Sequence, residues 1–292
     1  MRKSLITTAV LGALAAPAFV FAADAAPAPD LTVAYNVGLY SQYIFRGLTQ
    51  THKDPALQGG IDLTHSSGFY LGAWASNISW LTDGEQGAAI KNQATFTESK
   101  YYNSGGSLEM DLYGGYRYSF GDTGLGIDLG ALQYYYPGSR NKLTDKANTT
   151  EVYGAVSYKW LQAKISGVVS DTAWGNGKLA AVGSFGCNAK TCNTDARGTY
   201  YAELNGTIPV GDLIGGEAFK GVTVLAHVAR QEFPDALTPV SYTDYKLGAQ
   251  KAFDNGVNVG AYWTKANTSA YWTLDGQNIG DSTGTAYVQK TF

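Results

Sequence analysis

Three observations predict an all-β chain folded as a transmembrane antiparallel up-and-down β-barrel of twelve strands. Apolar and polar residues alternate with period 2 in one segment after another. The connections between these segments are alternately long and short, the pattern of a barrel with long loops at one rim and tight turns at the other. The last stretch, Thr283 to Phe292 (TGTAYVQKTF), is β-like and ends the chain on an aromatic residue. Such a strand closes an outer-membrane barrel against its first strand, and Phe292 would be the residue read by the barrel-assembly machinery. Gly284, Ala286, Val288 and Lys290 share its outward face; near the membrane edge a Lys in that row can snorkel to water.

The elements follow in chain order. Met1-Arg2-Lys3, the apolar run Leu5 to Phe21 and the small residues before position 23 predict a cleaved signal peptide over 1–22. Gly12 and Pro17 interrupt the run and no stop-transfer charges follow, which argues against a membrane helix. Residues 23–30 are Ala- and Pro-rich and read as a short flexible leader, and 31–292 as one barrel domain. The formal net charge of the whole chain is −3; without Arg2 and Lys3, 19 basic side chains remain against 24 acidic ones. With 36 Gly, 21 Tyr and only 15% charged residues, the composition fits a barrel, and no basic patch points to nucleic acid. No later apolar run reaches the ~18 residues of a membrane helix.

Alternation predicts a first strand over Thr32–Gly47, with Val33, Tyr35, Val37, Leu39, Tyr43 and Phe45 outward and Ala34, Asn36, Gly38, Tyr40, Gln42 and Arg46 inward. The second, Ala56–Thr64, opposes Leu57, Ile61 and Leu63 to Gln58, Asp62 and Thr64. The third, Phe69–Ile78, alternates less clearly and leaves the face of Trp74 open. The fourth, Leu108–Phe120, sets Leu108, Met110, Leu112, Tyr116 and Tyr118 against Glu109, Asp111, Tyr113 and Arg117. The fifth, Gly124–Tyr136, sets Leu125, Ile127 and Leu129 against Asp128. The sixth, Thr150–Trp160, turns Glu151, Tyr153, Ser157 and Lys159 inward. Strands over Ala163–Ser170, Thr199–Ile208, Val222–Ala229, Tyr242–Phe253 and Val257–Thr264 turn in Lys164, Glu203, His227, Lys246 and Tyr262 respectively.

Long connections are expected at 48–55, 79–106, 137–149, 171–197, 231–241 and 267–282. Short ones are expected at 66–68, 121–123, around Leu161, at 209–220 and at 254–256, putting both termini in the periplasm. Tyr43, Phe45, Tyr134 to Tyr136, Tyr242 and Trp263 are expected to form an outer aromatic girdle. Tyr118, Phe120, Trp160, Phe253 and Phe292 would form the inner one. A soluble β-sandwich would alternate too, with its apolar face inward, but it explains neither the girdles nor the loop pattern.

Tyr40 to Ser79 contains S-x-Y-x-x-R-G, D-P-A-x-Q-G-G and G-F-Y-x-G-x-W-x-S-N. In this combination the chain resembles the TorF family of predicted porins, outer-membrane proteins of Gram-negative bacteria. Tyr134-Tyr135-Tyr136-Pro137-Gly138 and Asp244-Tyr245-Lys246-Leu247-Gly248 are similar to later blocks of that family. The resemblance implies an outer-membrane barrel acting as a pore, with no defined cargo.

The inward rungs define the candidate site. Arg46, Asp62, Glu109, Asp111, Arg117, Asp128, Glu151, Glu203, His227 and Lys246 are candidate pore-lining residues, with Lys159 and Lys164 beside them. Charges of both signs suit a hydrated pore that passes small hydrophilic solutes with weak ion selectivity; they suit equally an interior locked by ion pairs. Glu109 and Asp111 near the outer end of the fourth strand, with Lys246 on the tenth, are candidates for a lining whose opposite charges set a field across the channel. Arg46 could guide anions, or pair with Asp54 and close its loop. Cys187 and Cys192, in a Gly-, Asn- and Thr-rich loop, are expected to form a local disulfide in an oxidising compartment; no metal site or cofactor is expected. An outer-membrane lipid hydrolase is a rival class, through His65-Ser66-Ser67-Gly68, but a tight turn is the simpler account of that run. A receptor or structural barrel with a closed lumen is another. Outer-membrane lipids and lipopolysaccharide are the expected surroundings.

Overall fold

The computed structural model describes residues 30–83, 102–140, 145–177, 195–234, 240–268, 271–274 and 276–292. The predicted signal peptide, the leader but for Asp30, and Cys187 and Cys192 lie outside the described residues. Twelve antiparallel strands form one closed barrel. They are β1 (Leu31–Tyr40), β2 (Ala56–His65), β3 (Phe69–Asn77), β4 (Leu108–Ser119), β5 (Leu125–Tyr135) and β6 (Thr149–Tyr158). The circuit continues with β7 (Leu161–Val168), β8 (Tyr200–Pro209), β9 (Val222–Glu232), β10 (Tyr242–Ala252), β11 (Val257–Ala266) and β12 (Thr283–Thr291). Each strand pairs with its chain neighbours, and β12 closes on β1 from Asn36 opposite Thr291 to Tyr40 opposite Tyr287. The Phe292 amide extends that seam, donating to the Tyr35 carbonyl at 2.9 Å.

The outward rows are apolar around the circumference: Leu39, Leu57, Leu71, Leu112, Leu129 and Leu247 are all exposed, Leu71 at 63%. A soluble protein could not leave these side chains in water; lipid removes that cost, on the order of 1.5–3 kcal/mol for each large side chain. Lys290, the exception in its row, sits at the turn end, where its ammonium donates to the Asn255 carbonyl and lies 5.2 Å from the Phe292 ring centre.

Of the five inward tyrosines that lie directly across a strand pair from a glycine, four have the ring or hydroxyl over it: Tyr70 over Gly115, Tyr113 over Gly72, Tyr153 over Gly130 and Tyr287 over Gly260. A methyl group on Gly72 would come 2.2 Å from the Tyr113 ring, and one on Gly260 2.5 Å from the Tyr287 ring. This packing is one reason why the chain is rich in both residue types. Gly72→Ala should therefore destabilise the barrel by about 1–3 kcal/mol. It would also detach the Tyr113 hydroxyl from Asp62, which it meets at 2.6 Å. Urea unfolding in lipid vesicles measures this, and a change below about 0.5 kcal/mol would show that the ring yields freely.

Several expectations change. The first strand stops at Tyr40 rather than Gly47: the Ser41 amide and hydroxyl both bond Ala286, and the chain then turns into the mouth. Tyr43, Phe45, Tyr134, Tyr136 and Tyr242 are consequently buried instead of forming an outer girdle; of the predicted set only Tyr135 and Trp263 face outward. The inner set, Tyr118, Phe120, Trp160, Phe253 and Phe292, is exposed as expected. Trp74 points inward. Lys159 has φ 53° in the turn after β6 and lies exposed over the Tyr158 ring, outside the lumen. The 209–220 connection holds a short helix, α1 (Val210–Ile214), and a 3-10 turn over Glu217–Phe219.

Candidate functional site: a polar lumen under an aromatic lid

The loop after β1 decides the state of the outer mouth. Ile44–Phe45 pairs with Leu48–Thr49 in a small hairpin whose two turn residues, Arg46 and Gly47, have φ of 46° and 77°. Positive φ at both central residues is the geometry of a tight hairpin turn, and Gly supplies one of them without steric cost. The tip enters the barrel. A methyl group on Gly47 would come 2.5 Å from Asp244 on β10. Arg46 donates two bonds to Glu151 on β6, at 2.8 and 2.9 Å, and one to Gln231 on β9 at 2.8 Å. Its guanidinium lies 4.2 Å from the Tyr201 ring centre and 4.9 Å from that of Trp174. Arg46 thus pairs with Glu151 and not with Asp54, because the hairpin carries it away from its own loop and into the lumen.

Other loops pack over this hairpin. Trp80 meets Tyr136 edge-on at 5.6 Å, Phe45 meets Tyr134 at 5.6 Å, and Tyr134 meets Trp174 at 5.5 Å. Trp272 sits against Tyr242, Tyr271 and Phe233, its indole N–H bonded to the Val240 carbonyl at 2.8 Å. The lid holds a cleft with about 570 Å³ of empty space, part of it continuous with solvent.

Below the lid the charges fall into groups. The Tyr43 and Tyr136 hydroxyls donate to Glu109 at 2.5 and 2.7 Å. Burial, and then the carboxylates Glu109 and Asp111 beneath, push both phenols well above their usual pKa and keep them as donors. Nearer the short turns, Asp128 accepts from Tyr70 at 2.6 Å and from Arg117 at 3.0 Å, with Arg117 over the Tyr70 ring. On the far wall His227 lies between Asn205 (2.6 Å), Tyr201 (3.0 Å) and Asp244 (3.1 Å). Glu203 accepts from Asn205 at 2.8 Å and stands 3.9 Å from Lys164. Lys246 lies over the Tyr262 ring, with Glu203 and Asp244 as charged neighbours.

All ten sequence candidates therefore face the lumen, Arg46 by way of its hairpin. Glu109 and Asp111 on β4 stand on the opposite side of the twelve-strand circuit from Lys246 on β10. Asp244 was missed, although its spacing of two from Lys246 was the signal; so were Tyr201 and Gln231. His65 and Ser67 bond one another across the β2–β3 turn, Nδ1 to Oγ at 2.7 Å.

A closed transmembrane barrel with an apolar belt, a charged lumen and a lid of loops defines the class. The sequence matches the bacterial family of unknown function Gcw_chp over residues 24–292, and the chain belongs to that family. A search among curated proteins found no match. Similar solved structures include the KdgM porin (8% identity, TM-score 0.44, 89% of this chain and 98% of that one). The NanC porin also matches (9%, 0.45, 89% and 99%), as does LpxR from Salmonella typhimurium (11%, 0.39, 89% and 99%).

Proposed function

We propose that the chain is an outer-membrane channel for small hydrophilic solutes whose outer mouth is stoppered by its own first loop. One observation carries the reading: the segment that fills the mouth, Ile44 to Thr49, is a hairpin of the first loop and not a strand of the barrel wall. Toward the short turns the lumen is wetter, with Asp62, Arg117 and Thr223 only partly buried and Thr64 exposed. The resemblance to TorF-type porins supports the same reading. So does the Phe-ended closing strand, which suits a barrel exported by a signal peptide and inserted among outer-membrane lipids and lipopolysaccharide. The extent of the buried Arg46–Glu151 network favours the second reading, a permanently closed receptor or structural barrel. Single-channel recording in planar bilayers separates the two. The wild type should give rare, brief conductance steps, and a variant with residues 44–49 replaced by Gly and Ser should give sustained ones. If neither conducts after gel mobility shows both to be folded, the channel reading falls.

A further inference from the structure

We propose that the lumen wall formed by β2 and β4 binds organic cations, with the Asp111 carboxylate as the primary contact; this rests on the channel reading above. The lumen is acidic once its rungs are placed. Asp62, Glu109, Asp111, Asp128, Glu151, Glu203 and Asp244 face it, against Arg46, Arg117, Lys164 and Lys246. The pairing is uneven. Glu151 has Arg46, Asp128 has Arg117, Glu203 has Lys164, and Asp244 has His227. Asp62, Glu109 and Asp111, all on β2 and β4, have no ion pair among the described residues.

Of these three, Glu109 accepts from two phenols, one on each oxygen, and Asp62 accepts from one on Oδ1, its Oδ2 being unpartnered among the described residues. Asp111 is 2% exposed and its Oδ1 has no hydrogen-bond partner among the described residues. Its charged neighbours are the carboxylates Glu109 and Glu151. A buried carboxylate among carboxylates is costly until a cation joins it. A second observation points to the kind of cation. Trp74 stands directly opposite Asp111 on β3, is buried, and its indole N–H also lacks a partner among the described residues. The Tyr43 ring lies 5.4 Å from it. A carboxylate beside aromatic faces suits an ammonium group, and the free indole N–H suits an acceptor oxygen on the same solute. No group of three or more His, Cys, Asp or Glu among the described residues is placed to hold a metal ion, so a singly charged organic cation fits better than a bare metal.

The test uses the full-length protein in planar bilayers under a KCl gradient, with ethanolammonium chloride as the probe. The wild type should prefer K⁺ over Cl⁻, and Asp111→Asn should lower that permeability ratio by about tenfold, the effect of removing a focusing charge. Ethanolammonium should block the K⁺ current of the wild type and of Asp111→Glu, and not that of Asp111→Asn. Steps without cation preference, or block that survives Asp111→Asn, overturn the cation site and leave the channel standing. The wild-type reversal potential and block decide the matter even where the Asn variant does not insert. Silence from the wild type and from the variant lacking the 44–49 hairpin removes the channel reading and the cation site together.

Discussion

Arg46→Ala should lower the stability of the folded barrel by about 3–5 kcal/mol, the loss expected when one member of a buried ion pair is removed. Glu151 would stay 1% exposed with its charge unmatched, keeping only the Tyr134 hydroxyl at 3.1 Å. Gln231 would lose its partner, and three aromatic rings would lose the guanidinium they face. Glu151→Ala should cost a similar amount, since it strands the guanidinium. The double change Arg46→Met with Glu151→Leu should recover most of the loss, because the charges and their desolvation disappear together. Urea unfolding in lipid vesicles of the two single variants and the double gives the coupling directly. Single variants within about 0.5 kcal/mol of the wild type would mean that water reaches the pair and that the hairpin is not held by it.

Trp272→Ala should loosen the lid without loosening the barrel. A buried Trp cut to Ala costs about 3–5 kcal/mol. Here the cost falls on segments that can open locally, because Trp272 packs on Phe233, Tyr242 and Tyr271 in the loops and strand ends of the mouth. Its backbone also joins the loops: the Ile279 amide donates to the Trp272 carbonyl at 3.0 Å, and the Thr49 amide to the Ile279 carbonyl at 2.9 Å. Hydrogen exchange of the Ile279 and Thr49 amides should accelerate by about a hundredfold or more, while the ladder between β11 and β12 keeps its protection. Equal loss in both places would show that lid and barrel unfold as one unit.

The barrel was legible in the sequence because its rule is local. Membrane outside and water or polar side chains inside impose period 2 on every strand, so Glu109, Asp111, Asp128 and Glu203 could be turned inward from their neighbours alone. The lid was not legible, because nothing local marks where the alternation stops meaning a strand. Tyr43 and Phe45 continue the outward row of Val37 and Leu39 by count, yet the chain leaves the sheet at Ser41. Arg46 shows the same limit. Its loop contains Asp54, a plausible partner by proximity, but the actual partner, Glu151, is 105 residues away and reached only because the hairpin crosses the mouth. Lys159 failed for a related reason: it has the right parity and sits one residue past the end of its strand.

The tyrosine rings laid across glycines bear on how the sheet finds its alignment. Apolar and polar alternation punishes a strand that adds one residue out of step, since every side chain then changes face. It is blind to an error of two, which keeps every face correct. The ring-and-glycine pairs are not blind to it. Two residues out of step, Tyr113 would meet Tyr70 or Trp74 instead of Gly72, and Tyr287 would meet Asn258 or Tyr262 instead of Gly260. Tyr153 would meet Asp128 or Leu132, and Tyr70 would meet Tyr113 or Arg117. Each collision overfills the wall by a whole side chain, and overpacking costs about 1–3 kcal/mol or more. The glycines thus act as a second, coarser check on assembly, rejecting the one class of misalignment that hydrophobicity accepts, and they do so between β11 and β12 as well as within the first half of the sheet.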